Sequence, residues 1–373
     1  MCNLIRGRVE SPVKKPTLLR EIIVHVGQMK TGTTRIQNAL AVNSQKLLSQ
    51  GVLYPRPRPD IRAHHALVRQ VCEKTDPRLE RAIFGKPDDD ELILAALGSN
   101  NACHTAVLSS EMLLIHFEDN IERVRAFDTR LSSLAHSVRY VAYVRDPVDL
   151  FPSVTSQTLM RSAILPRAQS AFRVSDMVKF RELVGARFEI KAYDRHAFKD
   201  RDVFEDFLTS VLGADISDID LTTESDKSNV SLSAEGMYLV QAVALARQIA
   251  DPSGFPNHDP AMQLMAQFVR RIDAGQSDYT AAKLKPGMPE LIAANAADEL
   301  SMLREKLDID LSPKVKAPKL KDGNPQMYLQ LVRNVFVVDP QRTASLAQQL
   351  CEHPRCPEEL KFLLNRIQMP ATE

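Results

Sequence analysis

Short apolar runs alternate with amphipathic stretches over the first two thirds of the chain, and that alternation sets the expected elements. Glu21-Ile-Ile-Val-His-Val-Gly27 is a compact apolar run ending in glycine, which predicts a strand buried on both faces. From Thr33 to Gln50 the residues Ile36, Leu40 and Leu47 recur at helical spacing, and Gly51 supplies a C-terminal stop. Val52–Tyr54 and Thr105–Ser109 read as further strands, Glu118–Ala135 as an amphipathic helix, and Ser137–Val144 as another strand. Asp146-Pro147 opens the next helix with a capping acid and a proline at its first position. Met177–Val184, Arg187–Tyr193 and Asp202–Leu212 then predict helix, strand and helix. Beyond Ser233 only helical periodicity remains, from Ala234 through Arg366, with breaks at Asp251–Pro260 and Ser312–Pro325.

Strands alternating with helices imply an α/β protein with a mainly parallel central sheet and helices on both faces. The expected organisation is a basic, solvated lead-in over 1–20, an α/β body over 21–235, and a helical C-terminal region over 236–373 packed on the same domain. Charge then narrows the class. The 48 Lys and Arg nearly cancel 47 Asp and Glu, leaving +1, which argues against a nucleic-acid-binding protein. Five scattered cysteines describe no disulfide framework, no run is long enough for a membrane span, and Met1–Arg20 lacks an apolar leader. A cytoplasmic protein is therefore expected.

The candidate chemistry begins at Gly27-Gln-Met-Lys30-Thr31-Gly32-Thr33-Thr34, between the first strand and the first helix. Converging backbone amides and a helix N-terminus make such a loop a phosphate site. Gly27 and Gly32 permit tight backbone turns, Lys30 supplies a point charge, and Thr33 and Thr34 offer hydroxyls. The glycines keep the spacing of a nucleoside-triphosphate loop, but Lys30 precedes the second glycine, where that pattern puts lysine after it. The strand ending at Val144 leads into Arg145 rather than into a metal-holding acid, and Glu111 is the competing acid. These features favour charge neutralisation by Lys and Arg, with no metal expected. Cys351, His353 and Cys356 likewise lack an evident fourth ligand for zinc.

Val26-Gly-Gln-Met-Lys-Thr-Gly-Thr-Thr34 resembles the 5′-phosphosulfate loop of sulfotransferases that use 3′-phosphoadenosine 5′-phosphosulfate (PAPS). Tyr143-Val-Arg-Asp-Pro-Val-Asp-Leu-Phe-Pro-Ser153 is similar to that family's 3′-phosphate motif, an Arg at a strand end followed eight residues later by a Ser. The resemblance covers about residues 20–235. It implies a P-loop-like three-layer fold and transfer of a sulfuryl group from PAPS, leaving 3′-phosphoadenosine 5′-phosphate (PAP). By that resemblance Lys30, Thr31, Gly32, Thr33 and Thr34 hold the 5′-phosphosulfate, and Arg145 and Ser153 the 3′-phosphate. Pro152 inside the helix departs from the pattern and weakens the assignment of Ser153.

Transfer also needs a base for the acceptor proton. His64 and His65 follow the second strand, and Glu111 follows the third, so the choice stays open among the three, with His65 ahead of His64. The expected acceptor is a hydroxyl of a carbohydrate, a glycolipid or another small molecule. A P-loop kinase or nucleoside triphosphatase, and a non-catalytic nucleotide-binding protein, are the rival classes. Lys314, Lys316, Lys319 and Lys321, and Lys227-Ser-Asn229, read as connectors or as lids over an anionic ligand. Arg56 and Arg58, set between prolines, read as solvated extended linker ahead of a contact with an acidic glycan.

Overall fold

The computed structural model describes residues 18–72, 85–99, 102–117, 120–167, 172–194, 197–198, 202–214, 217, 219–221, 230–250, 260–311 and 330–367. Both lysine clusters of the sequence reading lie outside these residues. Leu19–Gly27 (β1), Val52–Leu53 (β2), Thr105–Ser109 (β3), Ala135–Arg145 (β4) and Phe188–Tyr193 (β5) form one sheet in the order β2-β3-β1-β4-β5. β1 runs parallel to β3, with Ile22 opposite Ala106 and His25 opposite Ser109, and β2 runs parallel to β3. A strand flanked on both sides and covered on both faces is mostly apolar, and residues 22–27 of β1 are all buried, His25 among them bonded to Ser109. The fold is a three-layer α/β arrangement with a mainly parallel sheet and a helical C-terminal third. In this order the strands that follow β1 lie on either side of it, so its carboxyl end is the sheet's topological switch point.

The chain divides into two compact units. The first runs to Val26, from Ile36 to Val141 and from Phe207 to Leu221; the second takes Gly27–Arg35, Ala142–Asp206 and the chain from Thr222 on. Helices Thr33–Val42 (α1), Ser44–Ser49 (α2), Val68–Val71 (α3), Asp89–Ser99 (α4), Met112–His116 (α5) and Ile121–Ser132 (α6) precede β4. Pro147–Leu159 (α7), Val174–Val184 (α8) and Val203–Asp206 (α9) follow it. The C-terminal third adds Ala234–Ala250 (α10), Pro260–Ala274 (α11), Met288–Asn295 (α12), Ala297–Leu307 (α13), Val332–Val335 (α14), Pro340–Glu352 (α15) and Glu358–Leu364 (α16). Apart from α13, these late helices share one core with α7: Phe151 and Leu159 pack with Met237, Val240, Ile292, Phe336 and Leu350. Inside the same unit Asp273 binds the Ser233 amide at 2.7 Å, the Ser233 hydroxyl at 2.9 Å and Arg342 at 2.9 Å, fixing the start of α10. No described helix is long and apolar enough to cross a membrane.

Several elements differ from their sequence reading for identifiable reasons. The helix expected over Thr33–Gln50 breaks at Asn43, whose side chain donates to the Ala39 and Asp220 carbonyls and accepts from the Asp220 amide. The helix expected over Asp202–Leu212 widens into π-helical turns at Phe207–Leu212. Helix α7 continues through Pro152, anchored by buried Leu150, Phe151, Thr155 and Leu159. Helix α4 was not expected; Asp89, Asp90 and Glu91 occupy its first turn, where the positive end of the helix dipole favours them. Arg56 and Arg58 are not solvated linker. Arg56 donates to the carbonyls of Ala41 (2.7 Å), Ile61 (2.9 Å) and Pro59, while Arg58 pairs with Asp89.

Candidate functional site

β1 delivers the chain at Gly27 into a loop that enters α1 at Thr33. Gly27, Lys30 and Gly32 take φ values of +121°, +65° and +81°. Alternating backbone hand of this kind lines successive N–H groups around a concavity, and only glycine adopts it without steric cost. Lys30 therefore stands in a conformation that disfavours a side chain, a strain found where function dictates geometry. The loop is fastened from within. The Gln28 amide donates to the Tyr143 carbonyl at 3.0 Å, the Gln28 side chain donates to the Phe172 carbonyl, and the buried Thr31 hydroxyl donates to the Gln28 carbonyl at 2.5 Å. With Gln28 and the Thr31 hydroxyl so committed, the amides of Thr31, Gly32, Thr33 and Thr34 donate to no carbonyl among the described residues. At a helix start those amides have no partner inside the helix and are the donors an anion takes.

The opposite wall comes from later in the chain. A Cβ on Gly32 would stand 2.6 Å from Val203 Cγ1, so the glycine is required by space as well as by backbone hand. Arg35 pairs with Asp202 at 2.5 Å and holds that segment against α1. Arg145 ends β4 half-buried; its Nη1 donates to the Lys30 carbonyl at 3.4 Å, and its guanidinium lies 5.5 Å from the centre of the Tyr193 ring. The next residue, Asp146, accepts from the amides of Val148 (2.8 Å) and Asp149 (3.3 Å), the expected helix cap. Ser153 lies half-buried in the second turn of α7. Amide donors, Lys30 and Arg145 thus sit in one unit, a donor set that suits phosphate and sulfate oxygens. Among the described residues no group of three or more His, Cys, Asp or Glu is arranged to hold a metal ion.

The three candidate bases belong to the first unit. Ser109, opposite His25 on β1, is followed by Ser110 and Glu111. His65 Nδ1 stands 3.0 Å from the Ser110 hydroxyl and 3.9 Å from Glu111 Oε2, and that carboxylate oxygen accepts from Gln37 Nε2 at 2.8 Å. His65 and Glu111 remain partly open, with side chains 21% and 15% exposed. His64 is different. It is wholly buried, its Nδ1 accepts from the Ser109 amide at 2.9 Å, and its Nε2 donates to the Pro55 carbonyl at 2.8 Å. Burial pushes its pKa down to about 4, so it stays neutral. His25, bonded to the Ser109 hydroxyl at 2.8 Å, is also driven by burial to about 4. Gln28, Gln37 and Ser110 escaped the sequence reading, because each acts through a partner far along the chain.

No family model matches the chain, and no curated protein matches it. Among solved structures it is similar to the sulfotransferase domain of the olefin synthase from Synechococcus PCC 7002, at 14% identity and a TM-score of 0.32. The match covers 68% of this chain and 96% of that domain.

Proposed function

We propose that the chain is a sulfotransferase that moves a sulfuryl group from PAPS to a hydroxyl of a carbohydrate, a glycolipid or another small acceptor. The carrying observation is the Gly27–Thr34 loop, with unspent amides from Thr31 to Thr34, a strained Lys30, and Arg145 bonded to its carbonyl. In this reading the amides of Thr31 to Thr34 and the Lys30 ammonium take the 5′-phosphosulfate, and the Thr33 and Thr34 hydroxyls lie at the same helix start. Thr31 contributes its amide and locks the loop with its hydroxyl. Arg145, with Ser153, takes the 3′-phosphate.

The acceptor oxygen attacks sulfur in line. A new S–O bond forms as the bond to the 5′-phosphate oxygen breaks, and PAP leaves with the electron pair. Lys30 neutralises the charge that grows on that leaving oxygen. The acceptor proton goes to His65 Nε2. Nδ1 is engaged with Ser110, and the Glu111 carboxylate, which accepts from Gln37, stands 3.9 Å from that nitrogen. His64, with both ring nitrogens committed, positions the Pro55 and Ser109 backbone rather than moving protons.

The test is transfer of labelled sulfuryl from PAPS to a panel of glycosides and glycolipids. Label is expected in an acceptor with the wild-type chain and not with Lys30→Ala. Equal transfer by both proteins, or label that never leaves PAPS while ATP with magnesium is consumed, would remove the reading.

A further inference from the structure

Beside His65 the first unit holds a cavity of about 210 Å³, lined by Arg58, Asp60, Arg62, Asp89 and Ile93 as well as His65. At about 30 Å³ per water this is space for about seven waters, the scale of a single sugar ring. Its charged groups balance, two arginines against two aspartates, so the cavity as a whole selects neither an anion nor a cation. The selective feature is the Arg58–Asp89 pair. Asp89 is 2% exposed; its Oδ2 is taken by Arg58 Nη2 and by the Lys86 amide at 2.8 Å. Its Oδ1 has no hydrogen-bond partner among the described residues, and neither has Arg58 Nε, which lies 3.6 Å from exposed Asp60. Buried polar atoms are almost always bonded, so an unspent acceptor and an unspent donor on one ion pair call for an explanation.

One functional group satisfies both. A hydroxyl donates one hydrogen bond and accepts another, whereas a carboxylate only accepts and an ammonium only donates. We infer that the Arg58–Asp89 pair is a specificity device for a small polyol, binding a second hydroxyl of the molecule whose reacting hydroxyl meets His65. Asp89 Oδ1 accepts from that second hydroxyl, and Arg58 Nε donates to its oxygen in exchange for Asp60. A deoxy analogue leaves both atoms buried and unpaired, which is the strongest form of discrimination a polar pocket offers. The inference rests on the sulfuryl-transfer reading for the role of His65, but binding of the polyol does not need the donor.

The experiment titrates the full chain, without donor, with the methyl glycosides of glucose, galactose and mannose and their monodeoxy forms, following the His65 imidazole signals by NMR. At least one glycoside is expected to shift those signals, and removal of one hydroxyl to weaken binding at least tenfold. Asp89→Asn is expected to erase that difference between parent and deoxy sugar. Ala63→Phe, which fills the cavity from its half-buried wall and leaves both members of the pair in place, is expected to abolish sugar binding even if Asp89→Asn fails to fold. No shift at His65 with any glycoside, an unchanged ranking in folded Asp89→Asn, or unimpaired binding by Ala63→Phe would overturn the inference. PAP binding measured on the same samples separates the two readings. Sugar binding without PAP binding removes the donor assignment and leaves the pocket, and the reverse removes the pocket alone.

Discussion

Replacing Gly32 by alanine probes the phosphate loop without altering any charge. The backbone there has φ +81°, and a left-handed conformation costs a residue with a Cβ about 1–2 kcal/mol. The new methyl would also meet Val203 Cγ1 at 2.6 Å, and overpacking of this kind costs about 1–3 kcal/mol more. Gly32→Ala should therefore lower stability by about 2–5 kcal/mol. Val203 is 4% exposed, so Val203→Ala alone should cost about 2 kcal/mol through the cavity it leaves. In the double variant the steric part disappears while the backbone part stays, so the combined loss should fall short of the sum by about 1–3 kcal/mol. Urea unfolding of the four proteins measures the cycle. Additivity within about 0.5 kcal/mol, or a Gly32→Ala protein as stable as wild type, would refute this description of the loop.

Lys30→Gly should raise stability by about 1 kcal/mol, because glycine accepts φ +65° freely, while sulfuryl transfer is lost; a destabilised variant in urea unfolding would contradict the strain assigned to Lys30. Arg145→Ala should weaken PAP far more than AMP, and an unchanged ratio of the two dissociation constants would exclude Arg145 from the 3′-phosphate. Folding should weaken as pH falls from about 6.5 toward 4: burial lowers His25 and His64 from 6.5 to about 4, so between those values the unfolded chain binds more protons than the folded one. Each histidine accounts for about 3 kcal/mol over that range. His64→Gln, whose amide can both donate and accept, should flatten the pH profile of the unfolding free energy, and a profile as steep as wild type would refute its buried neutral state.

The loop was legible because its determinants are local. An apolar run buried on both faces ends in Gly27, a second glycine follows five residues later, and a helical pattern begins at once. Asp146 was legible for the same reason, as an acid two residues before the amide it caps. What escaped depends on distance along the chain. Nothing around Asn43 announces that Asp220 will claim its side chain and break the helix. Nothing around Gln37 announces Glu111, and Arg58 reads as solvated until Asp89, thirty-one residues on, is folded beside it. His64 and His65 are chemically identical in sequence; only burial and the Pro55 and Ser109 bonds separate a fixed neutral imidazole from one beside a carboxylate.

In the proposed function the loop after β1 grips a nucleotide phosphate with amides and lysine and needs no divalent ion. Isothermal titration of PAP into the full chain in excess EDTA tests it most directly. Saturable one-to-one binding is expected that survives EDTA and is lost, or weakened at least a hundredfold, in Lys30→Ala. Binding that appears only when magnesium is restored, or that is untouched by Lys30→Ala, would contradict it.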